Sequence, residues 1–288
     1  MPRAIRLLRL SRIALALLLL GQAWSSPVDA KPVRIVSINV CTDQLLLQLA
    51  DRSSIASLSA LALDPRSSTM TEQTDGIPTN NGLAEEVIAH TPDLVLASGF
   101  SSRPTLDLLR RLGYAVFTMP VATDLEAVRQ NVREVARAVG EEERGARLIE
   151  AFDARIAAAR PAPESPRPLA ALFWANAYTS GRGTLTGAIV EAAGFRSLGS
   201  ESGLTGIAPL PLEALIVARP RVLITGTKRG GRAQGEEILS HLALVRTIGP
   251  ARRIAIPDAF WLCGTPKLAD AMDRLARLRR SLGAGVGR

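Results

Sequence analysis

Strand-length, mostly apolar runs alternate with amphipathic stretches along the chain after residue 30. In the first half they fall at residues 34–38, 55–59, 94–97 and 115–118; in the second, at 170–173, 195–198, 222–225 and 253–256. Between them the apolar residues take helical spacing, as Leu45, Leu46 and Leu49 do on one face. Helices are predicted over 107–112, closed by Gly113, and over 187–193, closed by Gly194; glycine is a common C-terminal helix stop. Strands alternating with helices predict parallel sheets covered on both faces, an α/β fold.

One phrase occurs twice. Residues 85–96 and 213–224 each begin with Glu, reach Pro seven positions later (Pro92, Pro220) and continue into an apolar run that ends near Gly99 or Gly226. Physically this is a short helix, stopped by a residue that cannot continue it, feeding a buried strand. A second echo pairs Pro120, leading a helix to Gly140, with Pro257, leading a helix to Gly283. Two similar α/β halves usually keep their working site between them.

Residues 141–160 separate the halves. Leu148, Ile149, Phe152 and Ile156 fall on one helical face, and Gly140 and Pro161 bound the stretch. A helix of this length spans about 30 Å and would hold two lobes at a nearly fixed separation. The expected organisation is an N-terminal lobe at 31–140, a connecting helix at 141–160 and a C-terminal lobe at 161–288.

Residues 1–30 read as an export signal. Arg3, Arg6, Arg9 and Arg12 precede an apolar stretch at 13–20 that is too short to span a bilayer. Val28 and Ala30 suit cleavage before Lys31. The expected mature chain, Lys31–Arg288, is exported and soluble. Its charge falls from the formal +8 of the full sequence to about +5 once four Arg and Asp29 are removed. The basic residues are scattered rather than clustered, so nucleic acid is not an expected partner.

Several motifs, in order, carry a family resemblance. They are Arg34 to Ile38 entering a helix at Thr42-Asp43-Gln44-Leu45; Ala84-Glu85 leading to Pro92-Asp93-Leu94-Val95; Tyr178 to Thr184; Ala192-Ala193-Gly194; and Pro211-Leu212-Glu213 leading to Pro220. The chain resembles class III periplasmic substrate-binding proteins of ABC importers, the group that takes cobalamin and ferric siderophores. That resemblance implies two Rossmann-like lobes, a ligand cleft between them and one rigid connecting helix. It also implies monomeric delivery of a small molecule to a transmembrane permease, docked through an exposed Glu on each lobe. Glu85 and Glu213 match those positions. On the residues alone they serve equally as first-turn carboxylates favoured by the helix dipole. Glu86 is a possible substitute for Glu85.

In such folds ligands sit at the carboxyl ends of parallel strands. Those ends carry Asn39, Cys41, Thr42 and Phe100 in the first lobe, and Trp174, Tyr178, Arg182, Lys228, Trp261 and Cys263 in the second. Aromatic planes with several cations suit a large, flat or anionic ligand: a ferric chelate, a corrinoid or a haem. Cys41 and Cys263, the only cysteines, fall in opposite lobes. Disulfide, free buried thiols and ligand contact all remain open for them; a bridge would tie the lobes together.

Enzyme signatures are weak. Gly181, Gly183 and Gly187 form only a loose relative of a dinucleotide-binding turn, with no acidic residue at the end of the next strand. His90 and His241 are the only histidines, both expected inside helices and too few for a multi-His metal site. Catalytic residues, a resident cofactor and a metal site are not expected. A haem importer component or a periplasmic ligand sensor is the alternative to siderophore or corrinoid delivery; a nucleotide-dependent enzyme is a remote one.

Overall fold

A computed structural model describes residues 31–227 and 235–284. In chain order its principal elements are β1 (Ile35–Ser37), α1 (Val40–Leu49), β2 (Ile55–Ser59), β3 (Thr79–Asn80), α2 (Ala84–Ala89), β4 (Leu94–Ser98), α3 (Arg103–Arg111), β5 (Val116–Met119), α4 (Leu125–Ala138) and α5 (Glu142–Ala159). There follow β6 (Leu169–Leu172), β7 (Tyr178–Ser180), α6 (Leu185–Ala192), β8 (Arg196–Ser197), α7 (Leu198–Glu201), β9 (Ile207–Pro209), α8 (Leu212–Ala218), β10 (Val222–Thr225), α9 (Leu242–Thr247), β11 (Arg253–Ala255) and α10 (Ala269–Ala284). The expected signal segment lies outside the described residues. Among those described, no helix is long and apolar enough to cross a membrane.

The first sheet has the strand order β3-β2-β1-β4-β5 and the second β11-β10-β6-β8, and every pairing in both is parallel. Setting β6 against β1, β8 against β2, β10 against β4 and β11 against β5 makes the two orders the same, with β3 unmatched. The repeated phrase thus occupies equivalent places: α2 into β4, and α8 into β10. β7 and β9 form a separate antiparallel ribbon, which the alternation of strand and helix did not forecast.

Both faces of each sheet are covered, which is why the strands read as continuous apolar runs. On the first sheet Leu45, Leu46 and Leu49 pack with Val132 and Val135 on one face, and Val87, Leu106 and Leu109 fill the other. On the second, Ile189, Met272 and Leu275 cover one face, and Leu215 and Leu244 the other.

The connecting helix does not stand alone. α5 does bridge the cores: Leu148 and Ile149 pack on the first, and Phe152, Ile156 and Ala159 lie in the second. Yet α4 bridges them too, in the opposite direction, with Leu125 and Val128 in the second core and Val132 and Val135 in the first. The turn between them takes φ +69° at Gly140, a backbone state that glycine adopts without steric cost. Gly145 lets the two helices approach, since a Cβ there would lie 2.5 Å from that of Ala136. The halves are therefore joined by a two-helix brace. Arg129 of α4 pairs with Asp153 of α5 at 2.7 Å, and Arg155 of α5 reaches Asp270 of α10 at 2.6 Å.

Pro257 does not lead directly into a helix. Two 3-10 turns, Asp258–Phe260 and Pro266–Leu268, come first. Between them lie Cys263, held by a cross-link, and Gly264, held by close packing; together they keep the backbone out of helical register. The histidines also differ from expectation: His90 closes α2, and His241 opens α9 by accepting a hydrogen bond from Ala243 N–H.

Candidate ligand cleft

In parallel sheets the chain's switch of direction leaves a crevice at the carboxyl ends of the strands. Here β1 and β4 form that point in the first sheet, and β6 and β10 in the second. A cleft of about 470 Å³ opens beside these ends, within the size range of small-molecule sites. Its walls come from both halves. Ser98, Phe100 and the segment from Met119 to Thr123 line one side; Trp174, Gly183 to Thr186, Ile207, Trp261 and Leu262 line the other. The walls are mainly apolar and aromatic, and most of their polar atoms are neutral hydroxyl and amide groups of Ser98, Thr123, Asn131, Thr184 and Thr186. Asp258 adds a carboxylate. A larger depression of about 680 Å³ lies by Val217, Arg219 and Arg252, where α8 ends and β10 begins, away from the strand ends.

Several expected site residues come together here. Phe100, Trp174 and Trp261 all line the cleft. Trp261 is only 4% exposed, a buried part of the wall, whereas Phe100 at 78% projects at the rim. Cys41 also lines the cleft, but as half of a disulfide to Cys263, with Cα atoms 5.0 Å apart and 222 residues between them in sequence. The disulfide closes one of the alternatives open on sequence, and with it direct ligation by either thiol. Cys263 itself is buried and does not line the cleft.

The remaining residues stand elsewhere. Asn39 caps α1, its side chain accepting from Cys41 N–H at 2.9 Å. Thr42 is fully buried, its hydroxyl donating to the Asn39 carbonyl and lying 2.8 Å from that of Ser37. Both serve the turn from β1 into α1 rather than the cleft. Tyr178 sits on the β7–β9 ribbon opposite Pro209. Arg182 lines a smaller adjoining cavity of about 220 Å³, with Asp124 and Glu191. Lys228 lies outside the described residues. Sequence reading missed Met119 to Ala122, Thr184 and Leu262, although Pro120, directly after a strand, marked the first of these positions.

Beneath the cleft-side turn of α1 lies a buried polar network. Asn80 donates to Ser57 Oγ at 2.8 Å and to the Ser37 carbonyl at 3.0 Å, while its own carbonyl accepts from Gly82 N–H. Asp43 is fully buried and accepts from Ser59 N–H at 3.1 Å and from the Ser59 hydroxyl. Burial pushes its carboxyl up to about 7, with hydrogen bonds from Ser37 and Ser59 opposing the rise.

Glu85 and Glu213 are both exposed, in the first turns of α2 and α8. Neither makes a hydrogen bond or ion pair among the described residues. Glu86 is differently employed. Its carboxylate accepts from the backbone and side-chain amides of Asn81, which hold it below the usual carboxylate range. Glu86 therefore fastens the start of α2, leaving Glu85 pointing outward, and is unsuited to substitute for it.

The family model described as "Periplasmic binding protein" matches residues 35–251. A cobalamin-binding protein of Halobacterium salinarum is 30% identical over 204 residues, covering 69% of this chain and 55% of that one. The chain thus spans about half the length of the curated relatives it matches. Among solved structures, the periplasmic haem-binding protein RhuT from Roseiflexus sp. RS-1, in apo form, superposes with a TM-score of 0.70 at 24% identity, over 86% of this chain and 98% of that one. The periplasmic vitamin B12 binding protein BtuF of Vibrio cholerae superposes with a TM-score of 0.62 at 15% identity, over 88% and 98%. At these identities the structures establish a shared fold.

Proposed function

Because this chain belongs to the periplasmic binding protein family, we propose that it is the exported substrate-binding component of an ABC importer and that its cargo is a corrinoid. The observation that carries this reading is the cleft at the strand ends of both sheets, walled by Trp174, Trp261, Phe100 and aliphatic side chains. Aromatic and aliphatic walls suit a broad, flat ligand. The neutral hydroxyl and amide groups among them suit a ligand fringed with amides. The similarity to a cobalamin-binding protein supports the same choice. Haem and ferric chelates are the competing cargoes.

Residues 1–30 would be removed near Ala30 on export. The mature protein would then comprise an N-terminal lobe to residue 140, a connecting helix at 141–160 and a C-terminal lobe from 161, acting as a monomer without catalysis. Glu85 and Glu213 would dock on the permease. In support, they stand at one register in both halves, are exposed, and begin helices at the end of each sheet where the strands finish.

Titrating the mature protein with cobalamin, haemin and a ferric hydroxamate tests the cargo. Cobalamin should quench tryptophan fluorescence through Trp174 and Trp261, with little dependence on salt. Preference for haemin or the hydroxamate would replace the corrinoid, and no binding by any of the three would remove the cleft assignment. For docking, the double variant Glu85→Ala/Glu213→Ala should abolish uptake in cells while cobalamin affinity stays within a few-fold. A collapse of affinity instead would make the pair structural.

A further inference from the structure

The brace α4–α5 and the second core tie the two halves together behind the cleft. At the cleft itself a different contact joins them. The segment after β11 crosses from the second half to lie against the segment after β5 in the first. Gly264 approaches so closely that a Cβ there would stand 2.3 Å from that of Ala122. One residue before it, Cys263 is bonded to Cys41, in the first turn of α1. Two residues before Cys263 is Trp261, the most deeply set aromatic of the cleft wall.

The segment has little regular structure to hold it. Its backbone bonds are local ones: Trp261 and Leu262 N–H to the Asp258 carbonyl, and Thr265 N–H to the Cys263 carbonyl. Among the described residues no strand pairing fixes it to either sheet. A wall built on such a segment needs another constraint if it is to meet a ligand in one geometry. The cross-link supplies that constraint, and its far end is anchored, since Cys41 N–H is held by the Asn39 cap within α1.

We propose that the Cys41–Cys263 disulfide is a positioning strap: it pins the Trp261 wall of the second half to the first half on the cleft side, so that the cleft is preformed before ligand arrives. Its value for binding rests on the cleft reading above; its effect on the wall does not. An unstrapped wall would sample open positions and release ligand faster, while the brace and both sheets stayed intact.

The test compares the oxidised mature protein with the same protein reduced by a phosphine and with the double variant Cys41→Ser/Cys263→Ser. The reduced native chain covers the case in which the variant does not fold, and the variant covers the case in which the bond resists reduction. Amide hydrogen exchange is followed without ligand. Breaking the bond should speed exchange at residues 261–268 by about tenfold or more through local opening that low urea hardly changes, while the amides of Leu94–Ser98 and Val222–Thr225 exchange only through global unfolding, with a steep dependence on urea. Re-oxidation of the reduced chain should restore protection. With cobalamin as the probe, the dissociation rate should rise by about tenfold with the association rate little changed. Unchanged exchange at residues 261–268 would overturn the strap. Exchange at residues 261–268 that rises only together with that of the strands and shares their urea dependence would overturn it too, by leaving the bond a general stabiliser alone. If cobalamin binds neither form, the cargo reading fails, and the exchange measurement still decides the strap.

Discussion

Asp43 shows how one buried side chain can set a pH dependence. In the unfolded chain its carboxyl ionises near the ordinary value of 3.8, whereas burial in the fold pushes it up to about 7. Between those values the folded protein keeps a proton that the unfolded chain has lost, so stability falls as pH rises through the window and levels off above it. Below the window both states are protonated and nothing is lost. The whole effect is at most about 4 kcal/mol. Asp43→Asn keeps an acceptor for Ser59 N–H and cannot ionise. Its urea midpoint should therefore hold steady from acid to neutral pH while that of the parent declines; parallel profiles would show that the ionised carboxylate is accommodated. In the cleft, Trp261→Ala should weaken cobalamin binding by about 1–3 kcal/mol, the usual loss for a buried aromatic anchor, read by calorimetry. Phe100, Trp174 and Trp261 were legible in the sequence because the carboxyl end of a buried strand fixes where the next few side chains emerge. Asn39 and Thr42 occupy equally good positions but are consumed by the backbone, capping α1 and filling the turn before it. Polar side chains at a helix start serve ligand and cap equally well on paper, and only the hydrogen bonds separate the two uses.

Among elements, those fixed by local pattern were legible and those fixed by tertiary contact were not. β2 and β10 fall on the residues that their apolar runs mark, and α5 follows its apolar stripe and ends before Pro161. The β7–β9 ribbon was missed because its strands are short, partly exposed and find each other only through the fold. The role of α4 was missed because its apolar stripe is continuous, and nothing in it shows that one end serves each core. The ion pairs around the brace are accessories. Arg155 is 42% exposed at its side chain, so Arg155→Ala should cost only about 1 kcal/mol in a urea melt. The disulfide is a larger contribution. It closes a loop of 222 residues in sequence separation, and the restriction it places on the unfolded chain is worth about 3–5 kcal/mol. Reduction should accordingly lower the melting temperature by roughly 10 °C, and a melt unmoved by reduction would show that the unfolded chain gains little freedom from it.

At the scale of the molecule, the sheet orders give the two halves one topology, and the ties between them determine how far they can move. A clamshell binder has a flexible hinge and closes on its ligand. Here the residues from 32 onward form one compact unit, in which α4 and α5 run through both cores, Arg155 links α5 to α10, and Cys41–Cys263 crosses on the cleft side. Closure about the brace would have to move Leu125 and Val128 out of the second core, or Val132 and Val135 out of the first, exposing apolar surface at about 25 cal/mol per Å². Ligand binding should therefore leave the radius of gyration of the mature protein, about 18 Å for a compact chain of this size, without resolvable change in small-angle scattering. The reduced protein keeps the brace and should behave alike, because the strap positions a wall segment rather than the lobes as bodies. A clear contraction on adding cobalamin to the oxidised protein would mean that the brace bends and that the cleft is completed only by closure. A contraction confined to the reduced protein would assign the lobe spacing itself to the disulfide.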